Sequence, residues 1–364
     1  MKIRLKDIAE EVGVSIAAVS QVLNDKPIRI SEKKKRLIKQ LAKENNYSPN
    51  IAAKSLVLNK TNTIGLVIPD INNPFFAQLA KVLEDQLRKI GYLLILVNSD
   101  DHFAAEKGLI QLLIDRNVDG LLLALSSESY TYEEELKEFL SSISVPLVLV
   151  DRGLDNFPVG QVFYNNRQGG YLATMELINN GHQNIGIMMN PDKNINCIYR
   201  YQGYLDALKE AQLPQQESWR VVTKFQFEDA YDKADQLLNN QAITGIVAGN
   251  DLIALGIMKR AKELGINIPE EMSIVGYDNL ILNDLLEVPL TSVEQDVTVL
   301  GEKAVASLLS AMKEQAPRYL QLTPKIVRKK RWQTVGIKDR MKKVIVVFIS
   351  GRSCLTDQHN DCLG

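Results

Sequence analysis

The sequence predicts an all-α helix-turn-helix head followed by an α/β core of two doubly wound parallel-sheet subdomains. Near the N-terminus, a glycine separates two short amphipathic segments. From Thr63 onward, apolar β-branched runs alternate with amphipathic segments of helical period. The charge is also divided, since residues 1–62 hold 13 Lys+Arg and 6 Asp+Glu, a net +7, against −8 for the rest. A basic head on an acidic body is typical of proteins that contact nucleic acid at one end.

The composition is that of a globular protein with two or three domains. The chain has 364 residues, 45% hydrophobic and 24% charged. No apolar run reaches the roughly 18 residues of a membrane-spanning helix, and the first residues lack an apolar signal core. We therefore expect a cytoplasmic protein associated with the nucleoid and not with a membrane. The few cysteines and histidines have no disulfide or zinc spacing, so we expect no metal and no cofactor. They are Cys197, Cys354, Cys362, His102, His182 and His359.

The head is predicted to contain three helices. The first carries Ile8, Ala9 and Val12 on one face, and Gly13 ends it in a left-handed conformation. Ser15 is placed to cap the second helix, which buries Val19, Val22 and Leu23. The third begins at Ser31-Glu32 and ends near Asn45. Two short helices joined by a glycine turn form a helix-turn-helix.

In such a unit the second helix enters the major groove by its N-terminal end. The exposed positions there are Ile16, Ala17 and Gln21. Gln21 has the two groups needed for a bidentate contact to adenine, whereas Ile16 and Ala17 offer apolar contacts. Ser15 and Ser20 are candidates for phosphate contacts, which set register. Taken alone, an exposed glutamine is equally consistent with a solvated helix surface.

A short segment after Pro49, IAAKSLVLNK, is predicted to form a helix too short to be stable alone. Its apolar residues, Leu56 among them, either pack on a partner or contact DNA. An apolar side chain can wedge between base steps in the minor groove and kink the duplex. We assign that role to Leu56.

The core contains repeated apolar strands separated by helices, which indicates parallel sheets covered on both faces. Ligands of such sheets bind at the carboxyl ends of the strands. At these ends the sequence places carboxylates, arginines, amides and aromatic rings, with Arg200 expected just ahead of a helix. This set suits a small, neutral, polyhydroxylated ligand. Asp251, also at a strand end, is expected to cap the next helix rather than contact a ligand.

The segments LKDIAEEVGVSIAAVSQVLN and NYSPNIAAKSL resemble the DNA-binding head and hinge helix of the lactose-repressor family of transcription factors. The resemblance implies a homodimer that binds double-stranded operator DNA through two heads and paired hinge helices. The family usually has Thr at the place of Ala18, which implies one hydroxyl contact fewer to DNA. The positions implied in DNA binding are Ser15, Ile16, Ala17, Ser20, Gln21, Asn24, Asn50, Ala53, Lys54 and Leu56.

The core resembles that of the same family and, through it, the periplasmic sugar-binding proteins; its runs AGNDLIALG and VGYDN match the ribose-binding members best. The resemblance implies D-ribose as the effector, although related pentose and hexose binders share most of the set and a phosphorylated sugar stays open. The purine-binding branch uses a pocket that the aromatic NPFF segment does not reproduce. The implied effector-binding residues are Asn73, Phe75, Phe76, Asp151, Arg152, Arg200, Phe225, Asn250, Asp278 and Gln295.

The resemblance also implies the domain organisation. The head would occupy 1–48, the hinge helix 49–61 and the core 62–337. Within the core, the chain would pass three times between an N-terminal subdomain and a C-terminal subdomain. The first takes about 62–160 and 292–322, and the second takes 161–291 and 323–337.

Other functional classes are disfavoured by the motifs. The sequence has no phosphate loop, no GxGxxG after a strand, no HExxH and no GxSxG, so we expect no enzyme activity. A transport-type binding protein without a regulatory role is the remaining rival, and the helix-turn-helix argues against it. Operator binding that responds to the sugar would separate these classes.

Residues 338–364 form an atypical tail. Met341 and the following KKVIVV resemble the opening strand of a ribokinase-type sugar kinase, but FISGRSCLTDQHNDCLG does not continue that pattern. A reading-frame fusion and a family-specific extension both stay open.

Overall fold

The N-terminal helices form as the apolar spacing predicts. In the computed structural model, which describes residues 3–45, 47, 60–190 and 194–329, the head contains α1 (Leu5–Val12), α2 (Ile16–Leu23) and α3 (Glu32–Glu44). Gly13 ends α1 with a φ of 63°, and the Ser15 hydroxyl accepts from Ala18 N at 3.1 Å. Ile8, Val19 and Ile38 are fully buried and join the three helices in one small core.

Two segments of the sequence interpretation lie outside the described residues. Most of the expected hinge helix, with Asn50, Ala53, Lys54 and Leu56, falls within 48–59. The tail 338–364 also lies beyond residue 329, the last one described. The interpretations of both segments stay predictions.

The core alternates strands and helices throughout its described length. Its first half contains β1 (Thr63–Ile68), α4 (Pro74–Lys89), β2 (Leu93–Asn98), α5 (Phe103–Asp115), β3 (Gly120–Leu123), α6 (Glu133–Ser141), β4 (Leu147–Val150) and β5 (Gly160–Tyr164). Its second half contains α7 (Asn166–Asn179), β6 (Ile185–Met189), α8 (Ile195–Glu210), β7 (Arg220–Val222), α9 (Phe227–Lys233), α10 (Asp235–Leu238), β8 (Gly245–Ala248), α11 (Asp251–Glu263), β9 (Ser273–Asp278) and β10 (Thr291–Glu294). The final elements are α12 (Val297–Ala311), β11 (Tyr319–Leu322) and β12 (Lys325–Val327).

The described strands form two six-stranded sheets of equivalent order, which confirms the predicted pair of doubly wound subdomains. The first sheet runs β11-β5-β4-β3-β1-β2 and the second runs β12-β10-β9-β8-β6-β7. Helices cover both faces, and apolar side chains such as Leu66 and Val275 are fully buried. Burial on both faces explains why these strands are continuous apolar runs in the sequence.

The chain passes between the sheets a few residues later than expected. β5 extends to Tyr164 and pairs within the first sheet, so the first crossing follows 164 and not 160. β10 pairs with β9 in the second sheet, so the second crossing follows Glu294 and not 291. In both places the apolar run of a strand continues past the expected boundary, and strand pairing determines the actual one.

One strand departs from the parallel direction of its neighbours. β12 pairs antiparallel with β10. Helix α7 leads from β5 in the first sheet to β6 in the second, and α12 leads from β10 in the second sheet to β11 at the edge of the first. Only two residues separate β11 from β12, so the chain enters the second sheet from its carboxyl edge and runs against its neighbours.

No helix in the described ranges combines the length and apolar character needed to span a lipid bilayer.

Candidate functional site

The carboxyl ends of both sheets face one cavity in the core. About 300 Å³ of space not occupied by atoms, open solvent included, lies between its walls. All ten residues that the sequence suggested for a small ligand line it, together with Asn194 and Asn196. Since strands, loops and helix starts from both subdomains contribute, the walls come from segments more than 200 residues apart in the chain, as with Asn73 and Gln295.

The start of α4 supplies the aromatic side of the cavity. Asn73 caps the helix, because its Oδ1 accepts from Phe75 N at 3.1 Å, and Pro74 occupies the first turn. Phe75 and Phe76 pack edge to face with centroids 5.2 Å apart. The Arg152 guanidinium lies 5.3 Å from the Phe76 ring centroid, which places a cation beside an aromatic face.

Arg152 is buried and held by the first subdomain. Its Nη1 donates to the Leu125 carbonyl at 2.7 Å, to Asp101 Oδ1 at 3.0 Å and, at 3.3 Å, to Ser127 Oγ. The arginine therefore has a defined position at the end of β4.

Arg200 lies inside α8, and the expectation that it precedes a helix is wrong. The helix begins at Ile195 because the Asn194 side chain caps it, accepting from Asn196 N at 2.9 Å. Arg200 Nε donates to Asn166 Oδ1 at 2.8 Å, and Nη1 donates to the Gly249 carbonyl at 2.7 Å. Its guanidinium also stacks 3.6 Å from the Tyr277 ring centroid.

The two carboxyl groups of the cavity are buried. Asp151 is 4% exposed and Asp278 is 8% exposed. Burial raises the pKa of Asp151 and raises that of Asp278 well above its usual value. Gln295 Nε2 donates to Asp278 Oδ1 at 3.1 Å.

Both carboxylates also sit on strained backbone. The φ angles are 66° at Asp151 and 103° at Asp278, in a region that residues other than glycine rarely adopt. Such strain concentrates at functional sites, where surrounding structure holds it in place.

Two buried acceptors in the cavity have no hydrogen-bond partner among the described residues: Asp151 Oδ1 and Gln295 Oε1. Buried polar atoms are normally paired, because an unpaired one costs about 1–3 kcal/mol. A ligand with several hydroxyl donors would satisfy both atoms.

The remaining wall comes from the second subdomain. Asn250 caps α11, with Oδ1 accepting from Ile253 N at 2.9 Å. The expectation that Asp251 is the cap is therefore wrong by one residue, because the extended backbone of Asn250 aims its side chain at the helix start. Phe225 follows β7 and lies 6.0 Å from the Arg200 guanidinium.

The first turns of α8 join the two subdomains across the cavity. Asn194 Nδ2 donates to Ser127 Oγ at 3.2 Å, and Asn196 Nδ2 donates to the Asp151 carbonyl at 3.3 Å. Sequence reasoning missed both asparagines, since they follow a loop and not a strand end. The Asn-x-Asn spacing at the start of an amphipathic run was the available signal for this helix start.

The head presents most of its expected contact positions to solvent. Ile16 is 47% exposed, and Ser15, Ala17, Gln21 and Asn24 are exposed as well, while Ser20 is half-buried. Ala18 is only 6% exposed. The expectation of one hydroxyl contact fewer to DNA at this position stays a prediction.

A basic helix-turn-helix head and a two-subdomain core with a polar cavity define a ligand-responsive transcriptional regulator. Residues 4–50 match the bacterial regulatory proteins of the lacI family. Residues 61–330 match the periplasmic binding proteins and sugar binding domain of the LacI family. The chain belongs to the LacI family and is a DNA-binding transcriptional repressor. Members of this family are regulators and not enzymes.

Relatives with different names share this architecture. The chain is 32% identical to the HTH-type transcriptional regulator DegA of Bacillus subtilis, over 90% of this chain and 97% of that protein. It is 33% identical to the HTH-type transcriptional repressor PurR of Vibrio atlanticus, over 91% and 99%. Among solved structures, it is similar to a LacI family transcriptional regulator from Enterococcus faecium with bound ribose. That similarity has 30% identity and a TM-score of 0.66, over 75% of this chain and 100% of the other.

Proposed function

We propose that this chain is a cytoplasmic homodimeric repressor of a sugar-utilisation operon, and that D-ribose releases it from its operator. The observation that carries the effector proposal is the pair of buried, unpaired acceptors, Asp151 Oδ1 and Gln295 Oε1, in one cavity with two buried guanidinium groups. Hydroxyl groups can donate to the first pair and accept from the second. Phe76 and Phe225 suit the apolar C–H faces of a sugar ring.

The hydrogen bonds of Arg152 and Arg200 favour a neutral sugar over a phosphorylated one. Each arginine already donates through Nη1 to a backbone carbonyl. A phosphate would need basic groups or free helix N-termini beyond these.

The ribose-bound relative from Enterococcus faecium supports ribose as the effector. A purine base is the second candidate, because its ring N–H groups could also donate to the unpaired acceptors. A purine also presents N–H donors and a flat apolar face. Ribose differs from a purine because its hydroxyl groups place donors and acceptors around the whole ring.

Operator binding is proposed to use two heads on a pseudo-palindromic site, with Gln21 reading bases and Ser15 and Ser20 contacting phosphates. Leu56 and the other hinge residues would enter the minor groove. Sugar binding favours a closed core and shifts the equilibrium away from the DNA-bound state. A ligand with about 100-fold preference for one state supplies roughly 2.7 kcal/mol of coupling.

The test combines calorimetry with operator binding. Purified full-length protein is titrated with D-ribose, ribose 5-phosphate, D-xylose, D-galactose and hypoxanthine. A duplex selected from a random pseudo-palindromic pool then reports operator affinity with and without each compound, by fluorescence anisotropy. We expect ribose to bind most tightly and to weaken operator binding.

Two outcomes would contradict the proposal. Tighter binding of hypoxanthine than of ribose would transfer the effector role to a purine. An operator affinity unchanged by every sugar would remove sugar control altogether.

A further inference from the structure

Asp251 follows the cavity residue Asn250 but does not line the cavity, and it is fully buried behind the wall. Burial raises the pKa of Asp251 to about 6. A buried carboxylate is costly unless it is well hydrogen-bonded. Its partners therefore indicate what this side chain does.

The partners of Asp251 lie on the segment 279–283 and on the two strands beside it, where the backbone N–H of Tyr277 in β9 also donates to the carboxylate. Oδ2 accepts from Leu280 N at 2.7 Å and from Asn283 Nδ2 at 2.8 Å. Oδ1 accepts from the Ser292 hydroxyl at 2.7 Å, and Ser292 Oγ in turn accepts from Asn279 N at 3.0 Å. The carboxylate thus holds the backbone of 279–283 directly and through Ser292.

The fold leaves space for this carboxylate at a glycine. A Cβ placed on Gly276, in β9, would lie 2.1 Å from Asp251 Oδ1. Any larger residue at position 276 would displace the carboxylate of Asp251, so the glycine in β9 makes room for this side chain.

The segment that Asp251 holds links the cavity to the packing between the subdomains. It begins directly after Asp278, whose φ of 103° is followed by a φ of 53° at Asn279. Leu280 is 2% exposed and packs in the same buried cluster as Phe75 and Phe76, which come from the first subdomain. Farther along, Ile281 and Leu285 are 71% and 78% exposed.

We infer that Asp251 is a positioning residue: it holds the 279–283 segment so that Asp278 faces the effector and Leu280 packs against the first subdomain. The inference deepens the proposed function, on which its ligand readout rests. Because Asp251 holds the segment that carries Leu280 and follows Asp278, closing of the subdomains is coupled to the placement of Asp278.

The test uses Asp251→Asn in the full-length protein, with Asp235→Asn as the matched control. Asparagine keeps the size but loses one acceptor, so Ser292 can no longer both donate to residue 251 and accept from Asn279 without rearrangement. Asp235 has the same chemistry but forms an ion pair with Arg260 on α11. The readouts are hydrogen exchange of 279–283 without ligand, the Kd for D-ribose, and operator affinity without ligand.

We expect Asp251→Asn to speed exchange within 279–283. Ribose binding should weaken by about 10- to 100-fold, because the segment must then be ordered when the ligand binds. This range corresponds to the free energy of one hydrogen bond to a charged group. Operator affinity without ligand should be unchanged, which a general loss of folding would not allow. Asp235→Asn should alter none of the three. Wild-type exchange and ribose affinity in Asp251→Asn would overturn the inference.

A second variant covers the case in which Asp251→Asn unfolds. Ser292→Ala removes only the hydroxyl between Asn279 N and the carboxylate, and it should speed exchange of 279–283 to a smaller extent. Unchanged exchange in Ser292→Ala would then count against the inference. If wild-type protein binds no ribose, the effector proposal fails, while exchange without ligand still decides whether Asp251 positions the segment.

Discussion

Glu106, in α5, is a buried carboxyl group outside the effector cavity. It is 1% exposed, and burial raises its pKa from 4.5 to about 7. Oε2 accepts from Ser126 N at 2.5 Å and Oε1 accepts from the Ser129 hydroxyl at 2.6 Å. The turn that it holds includes Ser127, which contacts Arg152 and Asn194.

The raised pKa of Glu106 predicts a pH-dependent stability. The folded state binds this proton more tightly than the unfolded state, so its contribution to the free energy of unfolding falls as pH rises from about 4.5 to 7. The slope reaches at most about 1.4 kcal/mol per pH unit. Glu106→Gln should remove this component. Denaturant unfolding of both proteins at pH 5, 6, 7 and 8 measures it.

His182 contributes with the opposite sign, because burial lowers its pKa to about 4. Its contribution to stability falls as pH drops from 6.5. Both the wild type and Glu106→Gln retain His182, so its contribution cancels in the difference between their free energies of unfolding. Parallel stability curves for the two proteins would show that Glu106 does not titrate in this range.

The cavity residues predict repressors that the sugar cannot induce. Arg152→Ala and Asp278→Ala each remove one polar partner of the proposed ribose while leaving the head intact. Operator affinity should persist, but ribose at concentrations that saturate the wild-type protein should no longer reduce it. Arg88→Ala serves as a control, since Arg88 lies on the exposed face of α4 and pairs with Glu84 and Asp85. Normal induction in either cavity variant would remove that residue from the site.

Gln21 carries the prediction for base recognition in the head. Loss of a bidentate base contact costs about 1–3 kcal/mol, so Gln21→Ala should weaken operator binding roughly 5- to 150-fold. Gln40→Ala is the matched control, because Gln40 is exposed on α3 and pairs with Glu44. Anisotropy with the selected duplex measures both. If Gln21→Ala binds the duplex as tightly as the wild type, Gln21 makes no base contact and is only a solvent-exposed residue.

At the scale of elements, glycines allow α7 and α8 to pack closely and so place Arg200. A Cβ on Gly170 would lie 2.0 Å from the Arg200 carbonyl oxygen, and one on Gly203 would lie 1.9 Å from the Arg167 carbonyl oxygen. The helix backbones touch where these side chains are absent. The position of α8, and with it Asn194 and Asn196, depends on this contact.

Gly170→Ala should therefore force the two helices apart. We expect the free energy of unfolding to fall by about 1–3 kcal/mol or more, and ribose binding to weaken because Arg200 shifts. Gly108→Ala is the control: Gly108 lies in α5, and a Cβ there would meet no atom within 4 Å. That change should stabilise by about 0.5–1 kcal/mol. A tolerated Gly170→Ala with normal ribose affinity would contradict the packing argument.

At the scale of the whole molecule, the effector should stabilise the core by binding only its folded state. Ribose at 100 times its Kd should add about 2.7 kcal/mol to the free energy of unfolding. Thermal unfolding with increasing ribose measures the effect, and Asp278→Ala should abolish it. A ribose effect that persists in Asp278→Ala would mean that the ligand binds elsewhere.

Much of the fold followed from pattern alone. Apolar runs marked the described strands, and glycine and serine marked the turn between α1 and α2. The polar residues at strand ends were brought to one cavity because parallel strands end at the same edge. The boundaries were less accurate: α8 begins at Ile195 and not near Tyr201, since a side-chain cap decided its start.

The sequence by itself determined the types of elements, the basic character of the head and the chemistry of the strand-end residues, because these depend on local period and on neighbours in the chain. Tertiary structure alone decided the antiparallel direction of β12, the asparagine contacts that join the subdomains and the burial of Asp251. Each of these depends on the meeting of segments far apart in the chain, and hydrogen bonds and burial exist only once those segments have packed.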